Sequence, residues 1–126
     1  MPNERRRFVR FQVKSAIYAA LGHDFDKVGT VKDISVGGFA FEYISDQDSM
    51  EATTQADIIL VDEDIHLSKI PCTVAYEHDL RKHDTLRRFG RPLVTKRCGV
   101  KFGNLEEDQR TQLEHLIAKH TIGPLP

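Results

Sequence analysis

The sequence contains no tryptophan, only two cysteines and no apolar run long enough to cross a membrane. A membrane-spanning helix needs about 20 consecutive apolar residues, and no signal-peptide pattern follows the polar N-terminus. We therefore expect no membrane insertion and a cytoplasmic location. The length of 126 residues and the apolar content of 40% suit one globular domain with a real core.

The cysteines and histidines form no metal or redox motif. Cys72 and Cys98 lie in apolar, strand-like stretches, and the sequence has no C-x-x-C pair. Two buried thiols are the expected state in a reducing cytosol, and a disulfide between them is the alternative in an exported protein. The six histidines do not have the H-x-x-x-H spacing, so no metal site is predicted.

Catalytic patterns are also missing. The sequence shows no nucleophile–base pair and no phosphate-binding P-loop. Asp33 and Ser35 are two residues apart on one predicted strand, but no histidine is placed to serve them. We therefore expect no enzyme, no catalytic residue and no cofactor.

Charge is distributed unevenly behind a net value of −1. Residues 1–14 carry five cations and residues 81–101 carry eight, whereas residues 24–66 carry eleven carboxylates. Such a separation can create a positive surface that attracts anions. The basic segments could equally be solvated and face different ways, so charge alone does not decide between these readings.

Period-two alternation dominates the first hundred residues and predicts six strands. They are expected at 11–19, 28–34, 38–44, 54–61, 65–78 and 92–102. The glycines between the second and third strands are expected to supply positive φ in a tight turn. Residues 79–90 are predicted to be a charged loop, into which Leu86 and Phe89 could extend a strand.

The period then changes to that of a helix. Asn104 is the expected N-cap and Glu107 the expected partner in a capping box. Leu113, Leu116 and Ile117 form the apolar stripe, and the helix is expected to end near Thr121. Together these elements predict a mainly β fold: a small six-stranded antiparallel barrel with a C-terminal helix over one opening. We expect a flexible arm over 1–10, one domain over 11–121 and a tail over 122–126.

Two short motifs carry groups that suit a guanine nucleotide. Arg6 and Arg10 form an R-x-x-x-R pattern, and Asp33 begins a D-x-S-x-x-G pattern. An arginine fork matches guanine O6 and N7 or a phosphate, and a carboxylate can accept from guanine N1–H and the 2-amino group. Taken singly, the arginines could be a solvated tail, Asp33 could cap its own turn, and the glycines could serve only the turn.

Taken together, the two motifs resemble the signature of the PilZ domain family. The resemblance covers nearly the whole chain, because the stretch from Cys98 to Phe102 and the following helix are similar to the family's closing strand and helix. It implies binding of the bacterial second messenger cyclic di-GMP. The ligand-binding residues implied by the motifs and their neighbours are Arg5, Arg6, Arg7, Arg10, Asp33, Ser35, Gly37 and Gly38. Arg5, just before the first motif arginine, implies an intercalated pair of ligand molecules.

The resemblance suggests a receptor or adaptor whose arginine arm closes over the ligand and signals to a protein partner. Family members that have lost the motifs act by protein contact alone, so a non-binding interaction module is the main alternative. Nucleic acid is the less favoured partner, because the basic segments have few aromatic residues for stacking.

Overall fold

The alternating sequence pattern produces eight strands and one helix in the computed structural model, which describes residues 8–22, 27–45, 53–88 and 90–125. The strands are β1 (Phe11–Val13), β2 (Ile17–Leu21), β3 (Lys27–Ser35), β4 (Gly38–Ser45), β5 (Thr53–Leu60), β6 (Ile65–Arg88), β7 (Arg91–Phe102) and β8 (Thr121–Pro124). The helix α1 (Glu107–His120) follows β7, and a 3-10 turn (Val61–Glu63) separates β5 from β6.

Six of the strands close into an antiparallel ring. Their order is β2-β5-β6-β7-β4-β3, and pairing of β2 with β3 completes the circle. The remaining strands, β1 and β8, extend the sheet beyond β3. The prediction of a mainly β fold with a six-stranded antiparallel barrel and a C-terminal helix is therefore confirmed.

One hydrophobic cluster fills the ring and includes the helix. Side chains from β2 to β7 meet in this cluster, with Phe41 and Ile58 fully buried. Leu113 and Leu116 of α1 belong to the same cluster and are also fully buried. The helical stripe read from the sequence is thus the surface that attaches α1 to the barrel.

Both cysteines are buried free thiols in this core, as the sequence predicted for a reducing environment. Burial raises the pKa of Cys72 to about 11. Burial, with a smaller contribution from nearby Glu77, raises the pKa of Cys98 to about 12. The neutral thiols therefore behave as small apolar core residues at physiological pH.

The predicted charged loop over 79–90 is wrong. The strand β6 continues to Arg88, and its pairing with β7 extends past Asp79 as far as Arg88. The two strands therefore form a long hairpin. Its turn contains Gly90, whose φ of +78° is one that glycine adopts readily. Charged residues are tolerated here because most of the described side chains over 79–87 are exposed.

The predicted first strand, 11–19, is interrupted between β1 and β2. Its inward-facing alternation persists through the break, but the backbone N–H of Lys14 donates to the His120 carbonyl at 3.0 Å instead of to a strand. The Ser15 hydroxyl also lies 2.8 Å from His120 Nδ1. The end of α1 therefore takes over the hydrogen bonding at this point.

The helix ends at His120, next to the predicted end near Thr121, but its beginning differs from the prediction. The N-cap is Glu106 rather than Asn104, and Gln109 rather than Glu107 closes the capping box, with 2.9 Å from Glu106 N to Gln109 Oε1. The Gln109 amide also donates to the Ser68 carbonyl at 2.9 Å, which fixes this register against β6. Beyond the helix, Thr121–Pro124 forms the strand β8. Three of its four residues belong to the stretch 122–126 that was expected to be a tail.

Within the described ranges, no helix is long and apolar enough to cross a membrane.

Candidate functional site

The two sequence motifs meet on the outer face of the barrel, where β3, β4, β7 and β6 lie side by side. Pairing across these strands places Asp33, Ala40, Gly99 and Tyr76 in one row. The neighbouring row contains Ser35, Gly38, Lys101 and Thr73. We call Gly38, Ala40 and Gly99 the floor of the site, because these residues leave little side chain above the sheet.

Two β-bulges place the functional side chains over this floor. In β3 the register shifts at Lys32, so that Asp33 rather than Lys32 lies opposite Ala40. In β6 the register shifts at Ala75, so that Tyr76 lies opposite Gly99. Without the extra residue, each side chain would point to the opposite face of the sheet. The bulges therefore bring a carboxylate and an aromatic ring to opposite sides of the floor.

Asp33 lies between two arginines from distant parts of the chain. Arg97 of β7 donates to Asp33 Oδ2 at 2.8 Å and to Glu42 Oε2 at 3.3 Å. Arg10 Nη1 lies 3.8 Å from Asp33 Oδ1, which is an ion pair but not a hydrogen bond. Asp33 Oδ1 and Arg10 Nε are both buried, and the described residues offer neither atom a hydrogen-bond partner.

The pKa of Arg97 is raised by its surroundings. Burial acts to lower it, but a hydrogen bond with Tyr76 and the charges of Asp33 and Glu42 together outweigh burial. Arg97 is therefore cationic at every working pH. Its positive charge compensates the buried carboxylate of Asp33.

The C-terminal strand holds the backbone of Arg10. The Leu125 N–H donates to the Arg10 carbonyl at 2.7 Å. Next to it, Phe11 and Gln12 of β1 pair with Pro124 and Gly123 of β8 on one side, and β1 pairs with β3 on the other. The second motif arginine is thus anchored by the last residues of the chain.

Ser35 organises the turn that follows β3. Its hydroxyl oxygen accepts from the N–H groups of Gly37 at 3.0 Å and Gly38 at 3.1 Å, and it donates to the Gly38 carbonyl at 3.3 Å. Capping of its own turn is the alternative role that the sequence allows for Asp33. In the structure Ser35 performs that role, and Asp33 is left to pair with arginines.

The glycines of this turn are required for space rather than for positive φ. Among the described glycines, positive φ occurs at Gly22 and Gly90, so the sequence-based reason given for Gly37 and Gly38 is wrong. A Cβ at Gly38 would lie 2.0 Å from the Val100 carbonyl oxygen, and one at Gly37 would lie 2.2 Å from the Phe8 ring. Gly38 therefore allows β4 to approach β7 closely, and Gly37 accommodates an aromatic ring.

A cavity of about 630 Å³ lies above the floor. This volume is within the range of small-molecule binding sites, roughly 300–1,000 Å³. Its lining combines both motifs with residues of β6 and β7. The lining residues are Phe8, Arg10, Asp33, Ser35, Gly37, Gly38, Phe39, Ala40, Ala75, Tyr76, Gly99, Val100 and Lys101.

Five of the eight predicted ligand-binding residues thus border one cavity: Arg10, Asp33, Ser35, Gly37 and Gly38. The other three, Arg5, Arg6 and Arg7, lie outside the described residues. Of the basic segment 81–101, only Lys101 lines the cavity among the described side chains.

Sequence reasoning missed three residues of this site. Arg97 and Lys101 were counted only as part of a basic segment, and Tyr76 was read as part of an ordinary strand. Alternation along β7 places Arg97, Gly99 and Lys101 on one face, which is a signal in the sequence. The position of Tyr76 depends on the Ala75 bulge, for which the sequence contains no comparable signal.

A second polar cluster lies inside the ring, and its charged groups contact one another. Lys96, which is buried, lies 3.5 Å from Asp79 Oδ1 and 3.9 Å from Glu77 Oε1. The Tyr43 hydroxyl donates to Glu77, and burial, reinforced by Glu77, raises the pKa of Tyr43. Its charges are paired within the cluster, in contrast to the partnerless atoms of the outer site. Within the described ranges, no group of three or more histidine, cysteine or acidic side chains could hold a metal ion.

The fold and the site define a small β-barrel domain with a cavity on its outer face, bordered by Arg10, Asp33 and Ser35. The family model for the PilZ domain matches residues 4–119. The chain belongs to the PilZ domain family.

Solved structures agree with this assignment at the level of the fold. The chain is similar to the PilZ domain with c-di-GMP of YcgR from Escherichia coli, with a TM-score of 0.67, 16% identity, and coverage of 92% of this chain and 91% of that one. It also resembles YcgR in complex with c-di-GMP from E. coli (TM-score 0.63, 16% identity, 90% and 45% coverage). A third neighbour is MrkH, described as a c-di-GMP-dependent transcription regulatory factor (TM-score 0.62, 19% identity, 90% and 50% coverage).

The chain spans about half the length of these last two proteins. No functionally curated protein matches the sequence.

Proposed function

We propose that this protein is a receptor for cyclic di-GMP that binds its ligand over the floor of Gly38, Ala40 and Gly99. The observation that carries the proposal is the pair of partnerless atoms at one cavity. Asp33 Oδ1 and Arg10 Nε are buried there without hydrogen-bond partners among the described residues. Leaving such groups unsatisfied typically costs about 1–3 kcal/mol each, so a ligand that supplies both partners gains affinity from them.

A guanine nucleotide supplies both partners. Its N1–H and 2-amino donors suit the open oxygen of Asp33, and its phosphates or O6/N7 edge suit the guanidinium of Arg10. The small floor residues Gly38 and Ala40 let a flat base approach the backbone of β4, beside the Tyr76 ring that covers Gly99. Lys101, also at the cavity, adds a cation for the second phosphate.

Family membership supports this ligand. The matched model is that of the PilZ domain, and two of the similar structures are described as containing c-di-GMP. A non-catalytic receptor is the role that fits a site composed of arginine, carboxylate and glycine.

The receptor would act as a cytoplasmic adaptor. In this proposal, Arg5, Arg6 and Arg7 complete the site from the N-terminal arm and become ordered over the ligand. An ordering arm changes the surface next to the cavity, and a protein partner can respond to that change. Hydrogen exchange should show slower exchange of backbone amides within residues 3–10 when cyclic di-GMP is bound. Unchanged exchange in a ligand-saturated sample would rule out the arm mechanism but not binding.

Calorimetric titration of cyclic di-GMP into wild type and Arg10→Ala tests the binding proposal. Loss of a charged hydrogen-bond partner should weaken affinity by about ten- to a hundredfold, equivalent to about 1.5–3 kcal/mol. Arg110→Ala is the matched control, because it removes an exposed arginine on α1, away from the cavity. GTP in place of cyclic di-GMP tests ligand specificity.

The titration has three informative outcomes. Saturable binding that is weakened only by Arg10→Ala supports the site and gives the number of ligands per chain, one or two. Equal loss in Arg110→Ala would indicate nonspecific charge attraction. Absence of binding to wild type would refute the proposal and favour the non-binding interaction module.

A further inference from the structure

The side chain of Tyr76 faces outward because of the bulge at Ala75; in a regular strand it would face the opposite side of the sheet. The shifted register sets Tyr76 opposite Gly99, and its ring lies directly over that glycine. A Cβ at Gly99 would be 2.0 Å from Tyr76 Cε2, so any other residue at 99 would displace the ring. The ring therefore borders the cavity at the end of the row that begins with Asp33.

The orientation of this ring is fixed by two neighbours. His78 stacks against it with ring centroids 5.5 Å apart and an interplanar angle of 15°. Arg97, which also holds Asp33, lies close enough to Tyr76 for that side chain to help raise the pKa of Arg97. A ring held in this way presents an aromatic surface with little entropy left to lose on binding.

A second ring borders the same cavity from the side of the turn. Phe8 lies against Gly37, as Tyr76 lies against Gly99. Between the two rings, the floor carries only the methyl group of Ala40. The cavity thus has an aromatic side chain on two of its borders, with the partnerless oxygen of Asp33 at the same site.

We propose that Tyr76 is a base-stacking residue of this site and that it favours ligands with a planar base. The inference rests on the proposed function, because the base would be a guanine of cyclic di-GMP. Stacking on an aromatic side chain is strong, tolerates any planar base and acts independently of the arginine contacts. Asp33 would then distinguish guanine from other bases at the polar edge.

The competing explanation is that the ring only covers a glycine. Aromatic side chains do pack over glycines in sheets and stabilise them. In that case, truncating Tyr76 would lower the stability of the fold but would not change ligand affinity once the protein is folded. Affinity and stability must therefore be measured separately on the same variants.

Calorimetry with cyclic di-GMP on Tyr76→Phe and Tyr76→Leu separates these roles. Tyr76→Phe keeps the ring and loses only the hydroxyl, so its affinity should stay within about threefold of wild type, whereas Tyr76→Leu should bind about 5- to 100-fold more weakly. Tyr18→Leu is the matched control, since Tyr18 is 40% exposed and does not line the cavity. Circular dichroism establishes that each variant is folded at the titration temperature.

Tyrosine fluorescence gives a second and independent readout. The chain has three tyrosines and no tryptophan, so its emission comes from Tyr18, Tyr43 and Tyr76. A base stacked on Tyr76 should quench part of this emission in wild type and in Tyr18→Phe, and the quenching should disappear in Tyr76→Phe. This test still decides the matter if Tyr76→Leu does not fold.

The outcomes distinguish the inference from the function on which it rests. Wild-type affinity in folded Tyr76→Leu, or quenching that persists in Tyr76→Phe, would overturn the stacking role while leaving cyclic di-GMP binding intact. Absence of binding to wild type would overturn both proposals. Weakened binding of Tyr76→Leu together with lost quenching in Tyr76→Phe would establish the inference.

Discussion

Replacing Arg97 by methionine should destabilise the fold, because it leaves the buried carboxylate of Asp33 with weaker compensation. Methionine keeps most of the apolar stem of arginine and removes only its charged end. Arg97 donates to Asp33 Oδ2 at 2.8 Å, and Asp33 is 2% exposed. The remaining cation, Arg10, lies 3.8 Å from the other carboxylate oxygen and makes no hydrogen bond to it.

The magnitude follows from the geometry. Removing one partner of a fully buried ion pair costs about 3–5 kcal/mol. The Arg97 side chain is 24% exposed, and the Arg10 charge remains nearby, so we expect a smaller loss of about 1–3 kcal/mol in unfolding free energy. For a chain of this size, that loss lowers Tm by about 3–15 °C.

The assay is urea unfolding followed by circular dichroism on a double-mutant cycle. The cycle combines Arg97→Met with Asp33→Asn, which removes the carboxylate charge at nearly constant shape. We expect a coupling free energy of about 1 kcal/mol or more between the two positions. Lys101→Met, which removes an exposed cation from the same strand, is the control and should change stability by less than about 0.5 kcal/mol.

Two results would refute this reasoning. If the unfolding free energy of Arg97→Met is within about 0.5 kcal/mol of the wild-type value, the ion pair with Arg97 does not compensate the buried charge of Asp33. If the effects of Arg97→Met and Asp33→Asn simply add, the two residues act independently and the ion pair contributes nothing to stability.

Four further predictions concern the core thiols, the turn and the last strand. Because the pKa of Cys98 is about 12 and that of Cys72 about 11, both thiols should resist a disulfide reagent at pH 8 and react fully in guanidinium, and fast reaction without denaturant would contradict their burial. The same raised pKa values predict that the thiols' contribution to stability is constant below about pH 9 and falls as pH rises further, since the unfolded thiols release protons first; a contribution that rises above pH 9 would contradict the sign. Ser35→Ala should lower unfolding free energy by about 1–2 kcal/mol through loss of the turn's acceptor, whereas Ser35→Thr should lower it less, and equal loss in both variants would argue against the hydroxyl. Deleting residues 121–126 should weaken cyclic di-GMP binding, because Arg10 loses its backbone anchor; calorimetry on the folded truncation decides, and unchanged affinity would show that β8 does not position the arginine.

Much of the fold could be predicted from the sequence, because local patterns and burial agree. The apolar positions of the alternating pattern, such as Ile17 and Phe41, are the side chains that fill the core of the ring. The apolar stripe with Leu113 and Leu116 attaches the helix as expected. Where hydrophobic burial alone dictates the outcome, period two and period 3.6 are sufficient signals.

Other elements could not be predicted because their hydrogen-bond partners are distant in sequence. The hairpin of β6 and β7 extends through charged residues that gain pairing partners only across the sheet. The strand β8 is four residues long and exists because β1 offers an open edge beside it. The helix begins at Glu107 because Gln109 bonds to Ser68, 41 residues earlier.

Local sequence patterns were sufficient to predict the fold class, and the two motifs identified Arg10 and Asp33 as candidate site residues. Arg10 and Asp33 are recognisable because their side-chain chemistry and spacing do not depend on the rest of the chain. Only the tertiary structure decided that Arg97 holds Asp33 and that Tyr76 borders the same cavity. The physical reason is the register of the sheet: a bulge of a single residue in β3 and another in β6 changes which side chains face outward. Register is set by cross-strand pairing along whole strands, and no local stretch of sequence encodes it.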